Sequence, residues 1–392
     1  MAAVDFHAGF MGFSTSSTRA LSSLAPSEFV TETTYLNTAS FGLPAASTLV
    51  ELDAATARWA AGRGGATMAD EHVEPLREAF ARLIVGASAD DIGIGNTAAG
   101  MLGPVVAALP PGAEVLIPEG EFTSVSLPFV HRGDLTVRFA PLHQLAEEVR
   151  PETALVALSV VQSADGRVTD LSALRAATRA ADAELLVDAT QAAGWLPLRF
   201  ADADYWVCAT FKWLIGARSV AFFAVSPERA HRIRPVSPGW YATEDRWSQL
   251  YHPGALADSA RRFDTTPDWS GVVTARSGLR LIEDLTVDAI HAHDLALAER
   301  FRTGLTDLGH TPVPGDSAIV SVPGTIEAEE RLRAADIVAA ARGGALRFAF
   351  HLYNSADDVD RALRVLGARV SPIPRRGCWT RGSSRHRVGR GR

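Results

Sequence analysis

The sequence predicts an α/β protein: a large domain with a mostly parallel sheet, followed by a smaller C-terminal α/β domain. Three observations carry that prediction. Short apolar runs alternate with Ala-rich helical stretches along roughly the first two thirds of the 392 residues. The runs are nearly continuous in apolar residues rather than alternating, as strands covered on both faces are. A long helical stretch then leads to a second, shorter strand-and-helix unit.

In chain order, residues 1–30 lack periodicity and are rich in Ser and Thr, and are expected to form a flexible extension. Strands are predicted at Asp91–Gly95, Glu114–Pro118, Leu155–Val161, Glu184–Ala189, Tyr205–Thr210 and Val220–Val225. Helical patterns such as Val73–Ile84 and Leu171–Ala181 lie between them. One helical connection is predicted from Arg276 to Leu308, and the second unit closes with Leu346–Phe350 and a helix over Ala356–Leu366. The expected division is a large domain over 31–270, a small domain over 271–370 and a disordered tail over 371–392. No internal repeat is found.

Composition excludes several classes. Hydrophobic residues make up 47% and charged residues 21%, ordinary for a globular chain. No run of 18 apolar residues exists, so no membrane span is expected. The N-terminus has no basic stretch ahead of an apolar one, so it does not read as a secretory signal. Cys208 and Cys378 form neither a disulfide framework nor a metal spacing, which suits a reduced cytoplasmic compartment. His231, His252, His291 and His293 are likewise scattered without metal spacing. Net charge is −7, yet residues 371–392 hold seven arginines and no acid, which leaves −14 on the rest. So acidic a body argues against nucleic acid as a partner.

Lys212 is the sole lysine among 38 basic residues. Arginine can replace lysine as a surface cation, but not as an amine nucleophile, because the guanidinium stays protonated. Lys212 ends the apolar run DYWVCATFK, an unusual setting for a surface lysine. Asp188 ends another such run, AELLVDAT. Open α/β sheets bind ligands at the carboxyl ends of their strands, so the two side chains can meet in one crevice. A lysine for a Schiff base and an aspartate for a pyridine nitrogen are the pair that a pyridoxal 5′-phosphate (PLP) site requires. The segment GIGNTAAGMLGPVV (Gly93–Val106) adds a small-residue turn and a helix start, a natural anion site, to which Thr97 can add a hydroxyl. Its glycines do not match G-x-G-x-x-G, so a dinucleotide site gains little support.

These pieces, in this order, resemble the class V aminotransferase family of PLP enzymes, over about residues 33–368. The family also holds cysteine desulfurases, kynureninase, isopenicillin N epimerase and C–S lyases. YLNTASFGLP resembles its opening segment, and GNTAAG its phosphate turn, which implies Asn96 and Thr97 at the cofactor phosphate. EGEFTS resembles the segment whose ring stacks on the pyridine, with Phe122 in the desulfurase histidine's place. SVVQSADG puts Ser163 where an asparagine is common, and DATQAAG gives Asp188 to the pyridinium and Gln191 to the phenolic oxygen. CATFKWLIGARSV resembles the lysine motif, with Phe211 for a histidine, Ala209 for a phosphate-binding serine, and Thr210 as the hydroxyl that could compensate. DTTPDW resembles the stretch that reaches across a dimer, implying a homodimer with Thr266 at the other subunit's cofactor. LRFAFHLYNSADDVD supplies Arg347 as the clamp for a substrate α-carboxylate.

The resemblance implies the PLP-dependent transferase fold (fold type I). It also implies a small amino-acid substrate that displaces Lys212 to give an external aldimine, after which the freed amine moves the Cα proton. Transamination is the expected reaction; C–S or other β-lyase chemistry is the alternative, then epimerisation. Persulfide transfer is disfavoured, because Glu327–Gly344 lacks the loop cysteine that desulfurases use. Trp240, Tyr241, Trp247, Tyr251 and Trp269 crowd one stretch, either as an aromatic wall for a side chain or as subunit packing.

Overall fold

The computed structural model describes residues 21–65 and 68–368. Residues 1–20 of the expected N-terminal extension and the Arg-rich tail, with Cys378, lie outside the described residues.

Counting only the strands of the two main sheets, the large sheet comprises β1 (Ile92–Gly95), β2 (Glu114–Pro118), β3 (Thr136–Ala140), β4 (Thr153–Ser159), β5 (Glu184–Asp188), β6 (Tyr205–Ala209) and β7 (Ala221–Ala224). They lie side by side in the order β1-β7-β6-β5-β4-β2-β3. All neighbouring pairs are parallel except those of β7, which runs antiparallel to both β1 and β6. The chain folds back directly after the Lys212 turn to make β7.

The near-continuous apolar runs follow from this burial. In β4, Val156 and Leu158 join one core while Leu155 and Ala157 join the core on the opposite face. Neighbouring strands do the same, with Val187 and Trp206 on the first face and Leu186 and Val207 on the second. Strand β3 was absent from the predicted set. It is an edge strand, half exposed, and Arg138 at its centre breaks the apolar signal while bonding Glu114 and Glu148.

The predicted helix Arg276–Leu308 is two helices, Trp269–Leu285 and Val287–Asp307. Thr286 separates them, turning to φ 69° and capping the second with its hydroxyl on Ala289 N–H. The C-terminal unit is a three-stranded antiparallel sheet, with Ala345–Ala349 between Ile319–Pro323 and Ala340–Arg342. It has its own core, built on Phe301, Val320, Leu346, Phe348 and Val359. Residues 21–30 differ from the loose extension expected of them. Leu24 N–H bonds Leu352 O, His293 bonds Ser22 O, and Glu28 takes Ser47 N–H.

Candidate active site

The cleft opens at the carboxyl ends of β4, β5 and β6. Register sets it up, because Ser159 at the end of β4 pairs with Asp188 at the end of β5. Asp188 in turn pairs with Val207, and β6 then runs through Ala209 to Lys212. A cavity of about 450 Å³ results, walled by Thr97, Phe122, Ser163, Asp188, Gln191 and Lys212 among others. A larger groove of about 920 Å³ lies between Leu142–Glu147 and Pro314–Asp316, and no lysine, cysteine or serine lines it.

Asp188 is buried, and one carboxylate oxygen accepts Thr190 N–H at 2.7 Å. Burial raises its pKa, against the Thr190 bonds and the nearby Lys212 charge. Thr190 also receives Ala209 N–H at 3.0 Å, so it fastens the end of β6 to the Asp188 turn. Lys212 is 6% exposed. Burial brings its amine down to about 8; the Arg347 and Arg218 charges push the same way and Asp188 opposes them. Its Nζ sits 5.4 Å from the Phe122 ring centroid and 5.5 Å from that of Phe211.

Helix Ala98–Ala108 points its N-terminus at this cleft. Thr97 caps it by accepting Gly100 N–H at 3.1 Å, and the first-turn N–H groups of Ala98 and Ala99 stay free, as in any helix. Both alanines line the cavity.

Arg347, on Ala345–Ala349, is 2% exposed and has no carboxylate partner among the described residues. It donates to the carbonyl of Ser163, to Ser163 Oγ at 3.2 Å and to Ser40 Oγ at 2.7 Å. Its Nε is buried without an acceptor. Burial and the Arg342 charge lower its pKa to about 10.

Other predicted residues stand differently. Gln191 lines the cleft with its amide engaged: Nε2 donates to Ala39 O and Ser163 Oγ, and Oε1 accepts the Trp213 indole at 2.8 Å. Thr210 is fully buried, and its hydroxyl donates to Ala217 O at 2.7 Å and Val220 O at 3.1 Å. It closes the turn after Lys212 and does not face the cavity. Asn96 bonds Ser219 O and Thr265 Oγ1, on the far side of the helix start. Thr266 is exposed and away from this chain's cavity, on a segment fixed by Asp264 to Ile94 N–H at 2.7 Å. Trp240 and Trp247 pack at a tilt against each other beside Asp70, and none of the five crowded aromatics lines the cleft. Cys208 is a free, fully buried thiol, and burial pushes its pKa well up. Among the described residues no cluster of His, Cys, Asp and Glu could hold a metal.

Sequence reading missed Glu121. This buried carboxylate accepts four bonds: Ser159 N–H at 2.8 Å, Ser159 Oγ–H at 2.6 Å, Gln162 Nε2 at 3.0 Å and Phe122 N–H at 2.8 Å. Burial raises its pKa in spite of them. It fixes the turn carrying Phe122 to the end of β4. Its place directly before the predicted ring residue was the available signal.

The family model described as Aminotransferase class-V matches residues 53–325. The chain belongs to the class-V aminotransferase family. It is 27% identical over 320 residues to the uncharacterized aminotransferase YcbU of Bacillus subtilis (strain 168), a match covering 76% of this chain and 84% of that protein. The kynureninase of Deinococcus radiodurans is 28% identical over 173 residues, covering 43% and 42%. Among solved structures, the complex of the cystine C-S lyase C-DES with its product cysteine persulfide superposes with a TM-score of 0.78 at 21% identity, covering 86% of this chain and 97% of that one. The apo cysteine desulfurase of Thermococcus onnurineus NA1 gives 0.75 at 21%, covering 86% and 94%. The class-V chain is thus a PLP-dependent enzyme with the corresponding α/β fold, and its cofactor is pyridoxal 5′-phosphate. The cleft fits that group: free helix N–H groups suit a phosphate, a buried carboxylate suits a pyridinium, and an unpaired amine suits an aldehyde.

Proposed function

We propose that this class-V enzyme is an aminotransferase for a small amino acid, with Lys212 as both the cofactor's anchor and the catalytic base. The observation that carries this reading is a buried amine and a buried carboxylate lining one cleft, with a guanidinium that lacks a carboxylate partner held behind its wall through Ser163. PLP, when bound, supplies an aldehyde for the amine and an electron sink for the bonds at the substrate's Cα.

The residues divide the remaining work. Asp188 holds a proton on the ring nitrogen, and its buried charge is best balanced when that nitrogen is cationic. The first turn of Ala98–Ala108, with Thr97, binds the phosphate. Phe122, whose backbone N–H is held by Glu121, would supply the aromatic side chain against the cofactor ring. Arg347 takes the substrate α-carboxylate as a bidentate partner, which its present neutral acceptors do not supply. Ser40 and Ser163 aim the guanidinium. Gln191 reaches the phenolic oxygen by exchanging its bond to Ser163. The Lys212 amine, with its lowered pKa, would take the Cα proton and, for transamination, return it at the carbon that was the cofactor's aldehyde, two bonds away. Thr266, exposed on its pinned segment, completes the phosphate site of a second copy in a homodimer.

Transamination over lysis is supported by the 27% identity to a protein named as an aminotransferase. The only described cysteine, Cys208, is buried with a raised pKa, unlike a sulfur-accepting thiol. The test incubates holoenzyme with single amino acids, with and without a keto-acid acceptor. Keto acid formed only with the acceptor supports transamination, whereas pyruvate and ammonia formed without one would assign the enzyme to the lyases.

A further inference from the structure

The cleft holds a second guanidinium that a simple amino acid would leave unused. Arg218, on the turn after Lys212, lines the cavity and is exposed at its solvent side. Among the described residues it has no carboxylate within ion-pair distance and donates no hydrogen bond. Its guanidinium carbon lies 4.9 Å from the Phe211 ring centroid and 5.3 Å from that of Phe41. Aromatic faces hold a guanidinium by its plane and leave its edge N–H groups free to bind an anion.

Both arginines address the same short turn. Phe41, against which Arg218 rests, follows Ser40, whose hydroxyl takes a bond from Arg347. Lys212 lies in the same field, and both guanidinium charges act on its amine. Among the described residues, Asp188 is the only acidic one lining the cavity. With the cofactor phosphate given to the start of helix Ala98–Ala108 and the α-carboxylate to Arg347, Arg218 is the cationic side chain of the cavity wall left without an anion. Resting on the reading that Arg347 holds the α-carboxylate, we infer that the substrate carries a second anionic group on its side chain, a carboxylate or its like, which Arg218 binds. Arg218 is thus the specificity-determining residue of the cleft.

The competing use of Arg218 is the cofactor phosphate, since Ser219 beside it meets Asn96 at the helix start. The test measures binding as well as turnover. With wild-type holoenzyme, titration calorimetry should show succinate binding about 10- to 100-fold tighter than propionate, the scale of hydrogen bonds to a charged group. Aspartate or glutamate should exceed alanine in kcat/KM by a similar factor. Arg218→Gln should collapse both ratios, and Arg218→Lys should restore them in part. Cofactor release is followed in parallel with PLP and with phosphate-free pyridoxal. Equal handling of acidic and neutral ligands by the wild type overturns the inference. So does an Arg218→Gln variant that keeps the ratios but loses PLP selectively over pyridoxal. Failure of the Arg347 reading looks different: Arg347→Met would then leave propionate and succinate affinities both unchanged.

Discussion

Two arginines of this chain are equally buried and put to opposite uses. Arg77, 1% exposed, is saturated: it meets Asp264 through two nitrogens, Glu74 at 3.1 Å and the carbonyl of Ile92. Asp264 in turn accepts Ile94 N–H, so the pair bolts β1 to the segment carrying Thr266. Arg347, 2% exposed, meets only neutral oxygens and keeps a nitrogen without a partner. Burial alone therefore does not mark a functional charge. What marks it is burial without a counter-charge, because the desolvation cost is then offset only when a ligand arrives. The Asp264 and Glu74 charges drive the pKa of Arg77 up against its burial, whereas nothing does so for Arg347.

The same substitution at both sites should separate these roles. Arg77→Met leaves Asp264 buried and uncompensated, and should cost about 3–5 kcal/mol of stability in urea titration. Arg347→Met should cost no more than about 1 kcal/mol of stability in the same titration, yet weaken carboxylate ligands by about 10- to 100-fold. Equal stability losses in the two variants would erase the distinction. Glu121 stands between the two, because it has no counter-charge but accepts four neutral donors. Glu121→Gln is expected to lower stability by about 1.5–3 kcal/mol, since its amide cannot accept all four donors. It should also alter the visible circular dichroism of the cofactor through Phe122. An unchanged spectrum would remove Glu121 from the positioning role.

Smaller in effect is the pH dependence of Lys212. Its folded pKa of about 8 lies below the ordinary lysine value of 10.5, so the folded chain holds fewer protons between these limits than the unfolded one. Its contribution to stability therefore rises as pH climbs through that window, and Lys212→Met should remove this slope. In the cofactor-free protein, acylation of residue 212, followed by peptide mass, should reach half its maximal rate near pH 8. A midpoint near 10.5 would mean that the amine is not desolvated.

Much of this arrangement was legible in the chain itself. Apolar runs announce the buried strands, because the sheet is covered on both faces, and Asp188 and Lys212 each follow such a run. The half-exposed edge strand Thr136–Ala140 left no such trace. Thr210 shows a second limit. Its position beside Lys212 suggested a phosphate ligand, but side-chain direction depends on the turn, and the carbonyls of Ala217 and Val220 take the hydroxyl. Glu121, Thr190 and Arg218 depend on contacts with residues far apart in sequence, which spacing cannot report.

The most direct test is to saturate the protein with PLP, reduce it with borohydride and map the modified peptide. A single pyridoxyl group on residue 212, absent from Lys212→Ala, is the predicted result. Unmodified protein, or label carried only by the N-terminal amine, would contradict the account.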